Sequence, residues 1–440
     1  MTNGTSEPDP LSEVKTCLSQ ALQSYRKVNL DDGIALCRRA IELAVASADP
    51  TRDALIDIAR RRIVECLDRA NRFAEAIQEI EVWTAATPRT EGRAEALALR
   101  ARLTYRQGDP VGALRYIEEG IRLAEAVSYQ PGMGMLLRIR ADLLWMQGNI
   151  ETALGVAQQA LAIYEGLDDL DGRARTLNSV SAVYHMMGNH HRSIKYALRA
   201  VSILEAIQDV TGLRVVYSNL GESYQRLYAM EKALYYHEKA MALSGSAVHA
   251  DLIRNLGVDL VAVGRVEEGL GRLREALAIS RNIKENDMIM QSLHSLSEAL
   301  LGTGAVTEAH SLAQEALDMA TPINAPRHII RARLNLGRAA HTAGEKEKAQ
   351  DHLHEGFIVA QNANDKTMIW QAHAALAEVL SADQPEIARV HAGIAADMIN
   401  IMLNSIEDDA LQQTFRTAPP IAKVLGMIAP PRRTRPLTTY

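Results

Sequence analysis

Apolar residues recur at helical spacing along most of the chain, in runs that are separated by short turns. Residues 138–164 read RIRADLLWMQGNIETALGVAQQALAIY, which is one helical run, a turn at Gly148 and a second run that opens with a polar pair before alanine. Residues 177–204, 215–240 and 252–280 follow the same plan. A plan that returns at a fixed interval predicts an array of helical hairpins rather than a set of separate globular domains.

Glycines mark most of the turns and fix the register of the repeats. They are Gly108, Gly148, Gly188, Gly264, Gly304 and Gly344. Successive members lie 40 residues apart, except for one gap of 76 that holds a further repeat with Tyr228 at its turn. A glycine after a helix readily adopts the left-handed conformation that closes it. Weaker turns near Val28, Asn71 and Asp383-Gln384 bring the total to about ten hairpins.

Small residues recur at three positions of each repeat, where helices are expected to cross closely. The first set is Ala101, Ala141, Ser181, Gly221, Gly257, Ser297 and Gly337. The second set is Ala113, Ala153, Ser193, Ala233, Gly269, Ala309 and Ala349. The third set is Gly120, Ala160, Ala200, Ala240, Ala276, Ala316 and Gly356. These are the eighth, twentieth and twenty-seventh positions of the tetratricopeptide repeat, and the chain resembles that family over nearly its whole length.

The period departs from the usual family unit of about 34 residues. Repeats near 40 residues are similar to those of Leu-Gly-Asn-type adaptors, kinesin light chains and the sensor arms of large bacterial regulators. The resemblance implies an all-α fold, a right-handed superhelical solenoid of about ten antiparallel helical hairpins. We expect the array to cover residues 11–403 and capping helices to cover 404–429. Residues 1–10 and the basic, proline-rich tail 430–440 are expected to be disordered.

Composition narrows the class of protein further. The net charge of −6 and the lack of a basic face argue against nucleic-acid binding. Cys17, Cys37 and Cys66 are too few for a disulfide framework and are expected to be buried and reduced. The first residues do not form a signal peptide and no apolar stretch is long enough to insert into a membrane, so we expect a cytoplasmic protein.

Asparagines recur at the sixth position of the first helix, where the resemblance places side chains that face a concave groove. Asn219, Asn255 and Asn335 each lie in an Asn-Leu-Gly triplet. An amide can pair with both groups of an extended peptide backbone. The resemblance implies that this ladder grips a bound peptide; the alternative is that the asparagines bridge adjacent helices.

Other first-helix positions supply the remaining candidates for the groove. They are Arg138, Asn178, Arg254, Arg331, Arg338, Tyr105 and Trp145. Charges along the groove are mixed in sign, so neither a purely acidic nor a purely basic ligand is indicated. Arg331 and Arg338 share a face and could clamp a carboxylate, or they could be solvated surface charges. The aromatic residues could form an apolar patch for a helical ligand, or belong to the core.

Motifs that carry chemistry are missing from the sequence. It has no phosphate-binding loop, dinucleotide fingerprint or nucleophile elbow. His190 and His191 lack a carboxylate or cysteine at ligand spacing and are expected to be exposed turn residues. Asp168, Asp169 and Asp171 lack the pattern of a calcium loop and are expected to cap a helix. We therefore expect no enzyme activity, no metal and no cofactor.

The leading functional hypothesis is a scaffold or adaptor that binds a peptide or a partner protein in the groove. The alternative is a peptide-sensing regulatory module that controls a separate effector protein, since no effector domain is recognisable in the sequence. The identity of the partner and the oligomeric state do not follow from the residues.

Overall fold

The computed structural model describes residues 11–245, 249–363 and 366–428, and in these ranges it contains twenty-two α-helices and no strand. The helices of the first five hairpins are α1 (Ser12–Arg26), α2 (Leu30–Val45), α3 (Arg52–Arg69), α4 (Phe73–Ala86), α5 (Thr90–Arg106), α6 (Pro110–Ala126), α7 (Gln130–Met146), α8 (Ile150–Glu165), α9 (Leu170–Met186) and α10 (His190–Ala206). The next ten are α11 (Val210–Arg226), α12 (Met230–Ala242), α13 (Ala250–Ala262), α14 (Val266–Ile283), α15 (Asn286–Thr303), α16 (Val306–Ala320), α17 (Pro326–Thr342), α18 (Lys346–Asn362), α19 (Lys366–Leu380) and α20 (Pro385–Asn404). Two short helices follow, α21 (Asp409–Thr417) and α22 (Pro419–Ile428). The prediction of an all-helical repeat array is confirmed.

Turns of the hairpins lie where the sequence places them. All six predicted turn glycines have a positive φ, from 76° to 91°. Val28, Asn71 and Tyr228 occupy the same place in their hairpins with φ of 68°, 57° and 55°. This backbone conformation is rare for residues with a side chain. The geometry of the first nine hairpins therefore dictates the left-handed residue, even in the three of them whose turn has no glycine; the tenth hairpin turns at Asp383-Gln384 without a left-handed residue.

Each position of the three small-residue sets is buried in the structure. In the fifth hairpin the hydroxyl of Ser181 donates to the carbonyl oxygen of Ser193 at 2.9 Å, so a serine side chain of one helix bonds directly to the backbone of the other. In the seventh hairpin a Cβ added to Gly269 would lie 2.7 Å from the carbonyl oxygen of Gly257. Backbones this close leave no room for a larger side chain, which is the physical reason for the recurrence.

Aspartate side chains cap the starts of three helices. Asp109, Asp169 and Asp408 each accept a hydrogen bond from a backbone N–H three residues later. Such a cap satisfies one of the four free donors at a helix N-terminus. The expectation that the acidic loop before α9 caps a helix is thus confirmed for Asp169.

The last two helices pack back against the array, where the ring centre of Phe415 on α21 lies 5.9 Å from that of Tyr228 at the sixth turn. Phe415 of α21 and Ile421 of α22 are fully buried, and α22 packs against α20. Both helices therefore bury an apolar side, and the capping of the solenoid by residues 404–429 stays a prediction. The expected disordered segments at 1–10 and 430–440 lie outside the described residues.

Two compact units make up the chain. The N-terminal unit comprises residues up to 187 together with 192–219, and the C-terminal unit comprises residues 188–191 and those from 220 onward. In each unit the first helices of neighbouring hairpins contact one another, for example α5 with α7 and α15 with α17. Side chains on the first helices are thereby brought onto a shared surface.

The three cysteines are buried and free, as predicted. Burial raises the pKa of the Cys37 thiol to about 12 and that of Cys66 to about 11. Both thiols are therefore protonated and unreactive at neutral pH.

Membrane crossing demands a helix that is both long and apolar, and none in the described ranges meets both conditions.

Candidate functional site

A cavity of about 460 Å³ lies in the N-terminal unit, between first helices that are far apart in the sequence. Helix α1 contributes Leu22 to its wall, α7 contributes Met135, and Tyr164 closes another side. Its basic side chains are Arg26, Arg61, Arg62, Arg138 and Arg175, and its acidic ones are Glu65, Asp168, Asp169 and Asp171. Guanidinium groups from α1, α3, α7 and α9 therefore meet in one place, and Arg138 is the member that the sequence analysis selected.

Glu65 lies among the arginines of this cavity. Its carboxylate pairs with Arg62 at 2.8 Å. Burial alone would raise the pKa of Glu65, but Arg62, Arg175 and Arg61 together lower it to about 2. Glu65 is therefore ionised at any physiological pH, and the positive potential around it is strong enough to overcome its own desolvation.

Tyr25 ties the first hairpin to the fifth beside this cavity. Its hydroxyl accepts a hydrogen bond from Arg175 at 3.2 Å, and its carbonyl oxygen accepts one from Arg69 at 2.8 Å. The guanidinium carbons of Arg69 and Arg62 lie 3.8 Å and 4.6 Å from the centre of its ring. Cation–π contacts of this kind are strongest away from water, so α1 is held firmly over the cavity.

A second cavity, of about 380 Å³, lies in the C-terminal unit between α22 and first-helix side chains. Trp370 and Val424 form apolar parts of its wall, and Arg338 and Glu298 form polar parts. The ammonium group of Lys423 on α22 pairs with Glu378 at 2.7 Å. This cavity combines an aromatic surface with charges of both signs.

Arg331 and Arg338 converge on a carboxylate that belongs to the chain itself. Their guanidinium nitrogens lie 4.0 Å and 3.6 Å from oxygens of Glu298. Burial lowers the pKa of Arg331 to about 10, although Glu298 acts in the opposite direction. The two arginines thus share a face as expected. Glu298 is already an ionic partner of both, so it competes with any carboxylate of a ligand.

The asparagine ladder connects adjacent repeats. Asn219 donates to the side-chain oxygen of Asn178 at 2.9 Å, and Asn255 donates to Glu222 at 3.0 Å. Asn335 donates to the carbonyl oxygen of His294 at 3.2 Å. These bonds agree with the bridging alternative. A role of the same amides in peptide binding stays a prediction.

The other predicted residues lie on first helices in less open surroundings. Arg254 donates to the hydroxyl of Ser295 at 3.4 Å, and burial lowers its pKa. Tyr105 packs in part against the core of the N-terminal unit, and Trp145 is half-buried near the end of α7. The structure does not bring these three residues into either cavity.

Histidines near the turn of the fifth hairpin were expected to be exposed, and this expectation is wrong for both His190 and His191. His190, the first residue of α10, is 5 % exposed, and the side chain of His191 is 13 % exposed. Within the described ranges no three His, Cys, Asp or Glu side chains are arranged to hold a metal ion.

Sequence reasoning missed most of the arginine cavity. Arg26, Arg61, Arg62 and Arg175 occupy different repeat positions, so no single column of the repeat pattern collects them. Their one shared signal is a basic residue near the inner face of separate first helices, which also describes many solvated arginines.

Comparisons with known proteins agree with this architecture. A family model for the tetratricopeptide repeat matches residues 132–206 and 248–321. These two segments therefore match the tetratricopeptide repeat, and the resemblance expected from the small-residue positions is confirmed. No curated protein matches the sequence.

Solved structures with helical repeats are similar to the chain in fold. The apo form of RapI has a TM-score of 0.51 and 11 % identity, with 80 % of this chain and 98 % of that one covered. A signal-transduction ATPase with a tetratricopeptide repeat sensor from Pyrococcus horikoshii gives a TM-score of 0.49 and 16 % identity, with 87 % of this chain covered; the match spans only 55 % of that protein's length. The apo quorum sensor NprR from B. thuringiensis gives 0.47 and 14 %, covering 89 % of this chain and all of that one. At these identities the likeness establishes the fold alone.

Proposed function

We propose that the chain is a non-catalytic binding protein that holds a peptide or a partner protein on the surface formed by its first helices. The observation that carries the proposal is the cavity of the N-terminal unit. Side chains from four first helices surround an open volume of about 460 Å³ there, which is within the range of ordinary ligand sites. Helical repeats commonly offer such inner surfaces to extended ligands.

A non-catalytic role fits the chemistry of the residues in the cavity. Arginine remains protonated and acts as a hydrogen-bond donor rather than as a general base. Glu65 is held ionised by its neighbours, with a pKa of about 2, so it is a poor proton shuttle at neutral pH. These groups can hold and orient a ligand.

Photo-crosslinking from matched tyrosine positions tests the proposal. p-Benzoylphenylalanine replaces Tyr105 on the first helix α5 in one variant and Tyr235 on the second helix α12 in another. Tyr235 is 51 % exposed and so is the better placed of the two for chance contacts. We expect a defined crosslinked product in cell lysate from position 105 and none from 235. Equal products from both positions, or a product from 235 alone, would contradict binding on the first-helix surface.

A regulatory role is the second candidate, and the Tyr25–Arg175 contact favours it. That contact joins the first and fifth hairpins beside the cavity. A ligand that competes for Arg175 would weaken the connection, which gives binding a physical route to a change in the N-terminal unit. A separate effector protein would then respond to that change.

A further inference from the structure

We infer that the cavity of the N-terminal unit is a binding site for an oxyanionic side chain, carboxylate or phosphate, presented by a short peptide. The inference rests on the proposed function and specifies the ligand of that same cavity. Its basis is the arrangement of Arg26, Arg61, Arg62, Arg138 and Arg175, whose donors outnumber the acceptors that the chain supplies.

Arg26 has the most hydrogen-bond donors without a partner among the five arginines. It makes no hydrogen bond or ion pair with the residues that the structure describes, although it lines the cavity. Its Nε atom is shielded from solvent and has no partner. A buried N–H group without an acceptor is costly, and an incoming oxyanion would remove that cost.

Arg61 and Arg138 are only partly satisfied within the chain. The contact of Arg61 with Glu95 is long, at 3.4 Å, and its Nε atom has no partner. Arg138 reaches Asp142 through one nitrogen at 3.2 Å. A guanidinium has five N–H donors and can bind a carboxylate or a phosphate through two of them at once. Both residues therefore retain donors for a ligand.

Two acidic residues of the cavity are each paired with an arginine, although Oδ1 of Asp171 is buried without a hydrogen-bond partner, and two others lie in the linker before α9. Glu65 pairs with Arg62 and Asp171 pairs with Arg175, at 2.8 Å and 2.9 Å. Asp169 caps α9. Because Asp168 and Asp169 also line the cavity, a ligand with many negative charges would meet repulsion there. The arrangement suits one oxyanionic group with apolar neighbours, which Leu22 and Met135 can contact.

Fluorescence anisotropy with defined peptide pools tests this inference on the full chain. Three fluorescein-labelled hexapeptide pools differ only in one fixed central residue, which is glutamate, phosphoserine or glutamine. The remaining positions are drawn from alanine, leucine, serine and asparagine. We expect the glutamate pool, the phosphoserine pool or both to bind at least about tenfold more tightly than the glutamine pool, because charge-assisted bonds to arginine are lost with glutamine. The comparison of the first two pools identifies the oxyanion.

Arg26→Gln and Arg122→Gln form the matched pair of variants. Arg26 has no hydrogen bond or ion pair to lose, so its replacement should change the melting temperature only slightly; Arg122 is exposed on the second helix α6. We expect Arg26→Gln to reduce the preference for the charged pool to about twofold or less, and Arg122→Gln to leave it intact. Arg61→Gln provides an independent loss of the same preference.

Two results would overturn the inference. One is equal binding of the three pools, which would leave peptide binding in place but remove the oxyanion preference. The other is a preference that survives in Arg26→Gln and Arg61→Gln as it does in Arg122→Gln. Crosslinking from position 105 is read out independently of peptide charge, so a failure of the oxyanion site is distinguishable from a failure of the proposed function.

Discussion

The close crossing of α13 and α14 allows a quantitative test of the packing argument with two glycines of the same helix. Gly269 faces the crossing, and a Cβ at this position would lie 2.7 Å from both the carbonyl oxygen of Gly257 and the backbone nitrogen of Val261. Gly271, two residues later in α14, is exposed and would bring its Cβ into open space. The two alanine variants differ in surroundings and share the same change in chemistry.

Helix propensity favours both substitutions by about 0.5–1 kcal/mol, because glycine loses more backbone entropy than alanine in a helix interior. For Gly271→Ala we expect this gain in full. For Gly269→Ala the clash is with backbone atoms, which cannot rotate away, and overpacking of this kind costs about 1–3 kcal/mol. Subtracting the change in unfolding free energy of one variant from that of the other cancels the shared propensity. The remaining difference should be about 1–3 kcal/mol.

Native-state hydrogen exchange of peptides from α13 and α14 is the appropriate assay, since a repeat array can open locally without unfolding as a whole. We expect faster exchange in Gly269→Ala and slightly slower exchange in Gly271→Ala. Far-UV circular dichroism should show the same helix content in both. If the two variants changed exchange in the same direction and by a similar amount, the argument that small residues are required by backbone contact would be refuted.

Three further substitutions test a turn, the asparagine ladder and a buried histidine. Lys284→Gly should stabilise the chain by about 0.5–1 kcal/mol, seen as a higher melting temperature, because φ is 56° there and glycine adopts it without strain. Asn255→Ala should destabilise by about 1–3 kcal/mol in chemical denaturation, because Asn255 is 1 % exposed and its bond to Glu222 is lost; unchanged stability would argue against bridging. His373, with its pKa lowered to about 4 by burial and by His391, stabilises the fold above pH 6.5, and this stability is lost as the pH falls toward 4. Between pH 7.5 and 5 the loss should be about 2 kcal/mol, and the His373→Asn variant should lack that part of the pH dependence.

Much of the fold could be predicted because every repeat must satisfy the same local backbone geometry with similar residues. A turn that needs a left-handed residue selects glycine, and the constant spacing locates the turn even where Tyr228 stands instead. A helix crossing selects small residues, which is why Ser181 and Ala141 are equivalent in the pattern. These constraints act within about forty residues, so they leave a periodic trace in the sequence.

The arginine cavity leaves no such trace. Arg26 and Arg175 are adjacent to one space only because the path of the chain brings α9 beside α1, and the repeat pattern does not encode that path. The asparagines show the opposite difficulty, because their positions could be predicted from the sequence but their role could not. Their recurrence was evident, but an amide that bridges two helices and one that grips a peptide have the same spacing in sequence.

The hydrogen bond between Tyr25 and Arg175 joins residues that are 150 positions apart. Most repeat arrays form by adding each hairpin to its immediate neighbour, so their contacts are local and their ends open first. In the N-terminal unit the first hairpin has a second attachment, and the ordering of five hairpins must precede that contact. The first hairpin, which in most arrays could be removed with little effect on distant repeats, is thereby coupled to the fifth. Deletion of α1 should therefore loosen α9 as well as α3.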